Sequence, residues 1–312
     1  MAELFESVAG ARAALRELAG RGLVRATGAD RVRFLNGMLT ADVAALAPGG
    51  AAPALQLDRK GHVQADLWLL AEADALLLDV APGCEAELTA VLEKHVIADD
   101  VAFASLSDAV VELALEGPDA HAAARAIGVA PPPAGRFARA DFAGAELIWI
   151  AEGALTPEGL RVIAPRELAA ELASALALPA LDEARAEVLR IAAAIPALGR
   201  DVSSRNFPQE ARLERAVSFK KGCYVGQEIV ARIASRGAIH RVLALLRTES
   251  LVAPGAAVAV DGAASGQVTS SAESLATGAL ALAYLKVEHA RPGQRVVVDG
   301  VAAEVAGGTT RS

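Results

Sequence analysis

Residues 218–228 read Ser-Phe-Lys-Lys-Gly-Cys-Tyr-Val-Gly-Gln-Glu, and Ile-Val-Ala-Arg-Ile-Ala-Ser-Arg follows at 229–236. Two glycines bracket one cysteine within five residues. The trailing segment can form a helix, so Gly222–Gly226 is expected at a helix N-terminus. Peptide dipoles there, with the ammonium groups of Lys220 and Lys221, would favour the thiolate of Cys223. The glycines permit close approach of the backbone to a ligand or to another strand. Gln227 and Glu228 can hydrogen-bond a polar heterocycle. The competing reading of Cys223 is a small buried core residue. No histidine stands at a spacing that marks it as a base for the thiol; His62, His95, His121, His240 and His289 are generic. A Cys–His hydrolase therefore has little support.

Around this motif the chemistry shifts. Residues 200–247 hold ten Lys/Arg against four Asp/Glu, in a chain whose net charge is −8. That local excess reads either as a solvated face or as an anion site, for a ligand with a carboxylated tail or for an RNA backbone. Aromatics there are limited to Phe207, Phe219 and Tyr224, which argues against sequence-specific RNA reading. From about 237 the sequence becomes short strands separated by Gly and Pro turns, the cadence of a small antiparallel barrel or sandwich. Before it, strands mix with helices, as in an α+β region. The expected division is 1–236, with two subdomains, and 237–312.

Toward the N-terminus, Val8, Ala11, Leu15 and Leu18 recur at helical spacing, and Asp30 is placed as the N-cap of a helix over 31–43. Asp58, Lys60 and Asp66 flank a hairpin turn. Such residues are most often plain turn charges, yet one carboxylate facing a pocket could hold a cationic nitrogen.

Composition narrows the class. Of 312 residues, 54% are hydrophobic and 22% charged, which leaves ample material for a core and argues against disorder. Two cysteines exclude a disulfide framework and a four-cysteine metal site made by this chain alone. Acidic residues near Met1 and the absence of any long apolar run predict a cytoplasmic protein with free thiols and no membrane partner. Neither a GxxxxGK[ST] loop nor a dinucleotide fingerprint is present.

The run KKGCYVGQEIVAR (220–232) closely resembles the signature of the YgfZ family, folate-binding proteins related to the aminomethyltransferase, or T-protein, of the glycine cleavage system. TGADRVRFLNGMLTADV (27–43) and LDRKGHVQADLWLL (57–70) resemble that family's N-terminal segment and hairpin. LRIAAAIPALGRDV (189–202) and FPQEARLERAVSFKKGCY (207–224) resemble the approach to the signature, and SGQVTSS with GALALAYLK its terminal barrel. The resemblance implies a T-protein-like α+β fold with a C-terminal antiparallel β-barrel around a folate cavity. It implies a tetrahydrofolate or substituted-folate cofactor, and support of iron–sulfur cluster assembly or repair in enzymes that include tRNA-modifying radical enzymes. Partners implied are those enzymes or the assembly proteins, with tRNA as a further candidate.

On the matched segments, Cys223 and Lys221 are assigned the reactive roles, and Asn36, Thr40, Asp42, Asp58, Asp66, Arg190, Tyr224, Gln227 and Glu228 the folate pocket. Ala192 stands where the transferase carries a pterin-contacting Glu, and Ala65-Asp66 where it carries two aspartates. These departures favour an accessory role over aminomethyl transfer or demethylation, the alternative function. Ala194 occupies a position where relatives often have Gly.

Overall fold

Burial alternates along the strand Val63–Ala71: Val63, Ala65, Leu67 and Leu69 are buried, while Gln64, Asp66 and Trp68 are half-buried. This two-residue period sends alternate side chains to opposite faces. One row packs on Phe34, Leu35 and Met38 of the helix Arg31–Met38. The other row carries the polar groups discussed below. In this computed structural model, which describes residues 1–237 and 239–307, that strand belongs to a five-stranded antiparallel sheet. The sheet runs Ala51–Leu57, Val63–Ala71, Leu76–Val80, Gly22–Thr27, Ala102–Ser105. A second sheet runs Ala14–Glu17, Val110–Glu116, Leu160–Pro165, Ala145–Ile150, Phe137–Phe142. Leu23, Leu70 and Leu77 of the first meet Phe137, Ile148 and Ile163 of the second in a shared apolar cluster. Both sheets lie in a unit made of Arg12–Ala180 and Arg215–Gln227.

The second unit gathers Met1–Ala11, Leu181–Glu214 and the chain from Glu228 onward. Its centre is a closed six-stranded antiparallel barrel, in the order Arg241–Thr248, Gly278–Lys286, Ala263–Ser274, Ala257–Val260, Arg295–Val298, Val301–Val305. Closure removes both sheet edges. The helix Glu183–Ala192 lays Ile191 and Ala192 on Leu243, Leu282 and Tyr284. Asp182 starts this helix by accepting from Arg185 N at 2.8 Å. At its other end Ala194 N donates to Ile191 O and Ile195 N to Arg190 O. That is a Schellman cap, whose C′ residue must be left-handed. Ala194 takes this conformation, with φ +52°, and so explains why glycine suits the position.

Two expectations need correction, and a third, Asp30 as N-cap, holds in position. Residues 8–20 do not form a helix: the helix is Ala2–Ala9, and Ala14–Glu17 is a strand whose edge pairs with Val110–Glu116. The 31–43 helix ends at Met38, after which Thr40 joins the Ala51–Leu57 strand through Leu55. Asp30 sits at the N-cap without a capping bond, because its carboxylate accepts from Asp100 N at 2.8 Å instead.

Replacing Ala194 by Gly removes a Cβ penalty in the left-handed region. Urea unfolding of Ala194→Gly is expected to show a gain of about 1 kcal/mol; a loss of stability contradicts the capping account.

Candidate functional site

A helix leaves its last carbonyls without intrahelical partners. Those of the helix Arg31–Met38 are met by the signature loop. Lys221 Nζ donates to Asn36 O and to Leu39 O, both at 2.5 Å. Val225 N donates to Gly37 O at 3.1 Å, and Ser218 N to Thr40 O at 2.9 Å. Thr40 Oγ1 donates to Ala216 O at 2.5 Å and accepts from Leu55 N at 2.8 Å. Gly226 closes the contact with the hairpin turn. Its φ is +82°, and a Cβ there would lie 2.6 Å from Asp58 O and 3.0 Å from Gly61 Cα. Segments 36–45, 54–62 and 216–226 thus converge in one place.

Between these anchors the loop turns outward. Phe219 is 48% exposed, and Cys223 is exposed as well. The thiol is therefore not a packed core atom. The helix Gln227–Arg236 begins directly after Gly226, as expected for Gly222–Gly226, but Cys223 stands four residues before its first residue, beyond the turn over which the helix end acts. Lys221 does not serve the thiol either, since its ammonium is committed to the two carbonyls. Burial pushes its amine down to about 8, with Asp42 pulling the other way. Its Nζ lies 4.7 Å from the centroid of the Tyr224 ring. Tyr224 is buried, and its hydroxyl has no partner among the described residues. Burial pushes that phenol up to about 12.

The other assigned residues divide clearly. Asn36 Oδ1 accepts from Val43 N at 3.0 Å, and Asp42 caps the turn Val43–Ala45 through Ala45 N at 3.2 Å. Asp58 shapes the hairpin by accepting from the backbone N of Lys60 and His62, each at 2.8 Å. Burial would raise its carboxyl, but the bonds from His62 and Lys60 outweigh this and hold it below the usual range. Gln227 Oε1 accepts from Tyr224 N at 3.3 Å.

Three assignments need correction. Thr40 exposes no surface and cannot line a cavity. Arg190 lies in the barrel's unit, where Glu187, Asp201 and the Ile195 carbonyl engage its guanidinium. Glu228 is 83% exposed and pairs with Arg232 one turn on, a solvated surface bridge.

Asp66 differs from all of these. Its carboxylate has no hydrogen-bond or ion-pair partner among the described residues, and burial pushes its carboxyl up; Arg21, Arg215 and Arg161 offset this only in part. On the same strand face, Trp68 has the Arg161 guanidinium 4.8 Å and that of Arg215 5.7 Å from its ring centroid. Arg215 is oriented by Glu152 Oε1 at 2.6 Å. Arg161 Nη1 contacts Asp79 and Glu112, and its Nη2 is buried without a partner among the described residues. Sequence reasoning missed this cluster. The available signal was a charge inside otherwise apolar strands: Glu112 in VVELALE and Arg161 in LRVIAP.

A profile described as the GCVT N-terminal domain matches residues 10–221, and one for the glycine cleavage T-protein C-terminal barrel domain matches 241–307. The fold is that of the glycine cleavage system aminomethyltransferase T from Bartonella henselae. Its crystal structure gives a TM-score of 0.85 at 22% identity, covering 98% of this chain and 88% of that one. The chain is thus a member of the GCVT class of proteins. A tRNA-modifying protein YgfZ from Cronobacter sakazakii is 32% identical over 225 residues, 71% of this chain and 67% of that protein. Its counterpart from Yersinia enterocolitica is 30% identical over 236 residues, 74% and 70% of the two chains. A putative chloroplastic transferase from Arabidopsis thaliana is 27% identical over 304 residues, covering 93% of this chain and 70% of that protein. Within the class, the chain belongs to the YgfZ family. No described helix is long and apolar enough to cross a membrane.

The Lys221 amine has a folded-state value below that of the unfolded chain. Between about pH 8 and the ordinary lysine range, the unfolded state binds more protons, so stability rises with pH there. Allowing for water around the half-buried amine, the rise should be about 1 kcal/mol. Denaturation across this range should show it in the wild type and not in Lys221→Met.

Proposed function

We propose that this protein binds a reduced folate through the unit that carries the signature loop, and that it supports assembly or repair of iron–sulfur clusters in client enzymes, tRNA-modifying enzymes among them. The observation that carries this reading is the loop itself. It is fixed to the helix end at Ser218, Lys221 and Val225, yet it holds Cys223 outward.

The donor set suits a pterin. An amino-oxo heterocycle presents N–H donors beside an oxygen acceptor. Asp66 supplies a carboxylate free to accept, and the Tyr224 hydroxyl is a buried group still lacking a partner. A buried polar group left unmet costs about 1–3 kcal/mol, and a bound ligand that meets it recovers this. When bound, the folate would supply its reduced ring and one-carbon positions; Asp66 and Tyr224 would hold and orient it. One thiol cannot hold a cluster. Cys223 would therefore act with ligands from a client enzyme or assembly protein. The YgfZ relatives named as tRNA-modifying support the client class, and the basic stretch at 200–247 is where tRNA contact would fall. The open Asp66 carboxylate also favours a second reading, one-carbon transfer from a glycine-type amine, which an assay of Asp66→Asn separates from the first.

Titration of the full chain with 5-formyltetrahydrofolate, followed by Trp fluorescence, should saturate. Tyr224→Phe should lose about tenfold in affinity while keeping wild-type stability, since the lost hydroxyl has no partner among the described residues. Absence of saturation at millimolar ligand overturns the folate reading. In cells, Cys223→Ala should bind folate normally but fail to restore the activity of iron–sulfur enzymes; full restoration would show that the thiol has no functional part.

A further inference from the structure

Four charged side chains meet beneath Trp68. Arg161 Nη1 contacts Asp79 and donates to Glu112 Oε1 at 2.9 Å. Arg21 Nε lies 2.6 Å from Asp79 Oδ1 and 3.1 Å from Glu112 Oε2. Asp79 comes from the first sheet, Glu112 and Arg161 from the second. All but Arg21 are nearly inaccessible to solvent. A cavity of about 70 Å³ opens on Asp79, Glu112 and Arg21, and Glu17 and Arg166 complete its charged lining. Of the two carboxylates, Asp79 is held more closely by Arg21, at 2.6 Å against 3.1 Å for Glu112.

We infer that Glu112 is a positioning residue for the ligand site: its proton sets the charge that Arg161 offers beside Trp68 and Asp66. This rests on the folate reading of that site. The geometry supplies the route. Arg161 Nη1 faces the carboxylates, its guanidinium stacks near Trp68, and its Nη2 is buried with no acceptor among the described residues, a bond that a ligand entering beside Trp68 would supply. With Glu112 ionised, two carboxylates compete for that guanidinium. With Glu112 protonated, one remains, and an oxo or carboxylate group of a ligand binds Nη2 more strongly. Linkage makes the effect reciprocal, so ligand binding draws a proton onto Glu112.

The titration range supports this. Burial, and then the neighbouring Asp79, push the Glu112 carboxyl up to about 7. Burial acts on Asp79 as well, but Arg21 and Arg161 outweigh it and keep that carboxyl below its ordinary value. Glu112 is thus the member of the pair that takes the proton near neutrality. The charged groups facing it are Arg21, Asp79 and Arg161 in contact, Glu17 and Arg166 at the cavity, and Asp66 through the field of Arg21.

The test is calorimetric titration of the full chain with 5-formyltetrahydrofolate at about pH 6 and about pH 8, in two buffers of different protonation enthalpy. Wild-type affinity should fall about tenfold between the two pH values, as the binding-competent fraction falls. Binding at about pH 7 should take up close to half a proton. Glu112→Gln mimics the protonated state, so it should bind at pH 8 about tenfold tighter than wild type, with no pH dependence and no proton uptake. A change that merely loosened the fold would weaken binding instead. A wild type that binds without pH dependence or proton uptake overturns this inference alone, as does Glu112→Gln with a wild-type profile. A wild type that does not bind overturns the folate reading and this inference together. Should Glu112→Gln fail to fold, wild-type proton uptake and a carbon-13 NMR titration of the Glu112 carboxyl decide. A midpoint near the ordinary glutamate value overturns the inference.

Discussion

The end of a two-turn helix governs much of this structure. The carbonyls of Asn36, Gly37 and Leu39 need donors, and the chain supplies them from a segment nearly two hundred residues away: Lys221 for two and Val225 N for the third. Thr40, one residue further on, is bonded at every polar atom, to Leu55, Ala216 and Ser218. Each bond contributes only about 1 kcal/mol net, but an unmet buried partner costs up to about 3. Few alternative loop paths satisfy all of them. The exposed thiol is therefore held by the most constrained backbone in its neighbourhood, and its display follows from how its neighbours are fastened.

A different constraint acts between the two five-stranded sheets. Their shared apolar cluster is modest, and beside it lies the ionic group of Arg21, Asp79, Glu112 and Arg161. Buried ion pairs give little net stability relative to apolar packing, whereas removing one partner is costly. What such a group supplies is a specific register: Arg161 can reach both carboxylates only when the sheets face each other in one way. Among the described residues, one guanidinium nitrogen, Arg161 Nη2, is left unpaired and one carboxylate, Asp66, without a bond. Both sit where a tryptophan face is already available.

Much of the architecture was legible because its signals are periodic. Alternation in 63–71 marked the hairpin, and the Gly-punctuated strands after 240 marked a small antiparallel barrel or sandwich, between which the family resemblance chose the barrel. Residues 8–20 misled because their apolar positions fit a helix, while Ala14–Glu17 is recruited by strand Val110–Glu116, a long-range pairing no local pattern encodes. The segments that carry Asn36, Asp42 and Asp58 do converge with the signature loop. Their roles were not legible, because a carboxylate that caps a turn and one that waits for a ligand have the same sequence. Lys221 shows this most clearly: beside a cysteine it suggests activation, yet its ammonium is drawn to a helix end by carbonyls that only the fold brings near. At Ala194 the sequence showed only an alanine where relatives often have glycine; the left-handed backbone that explains the preference is a property of the helix end.

The discontinuous make-up of the barrel's unit has a consequence for biogenesis. Leu4, in the first helix, packs against Ile191, Leu243 and Leu282. None of these exists when the helix leaves the ribosome. At about 5–20 residues per second, this helix waits on the order of ten seconds or more for its partners. The sheets between Arg12 and Ala180 have most of their strands by then. A helix made well before its partners is thus among the last to find its place, and during translation its apolar face stays uncovered until they emerge.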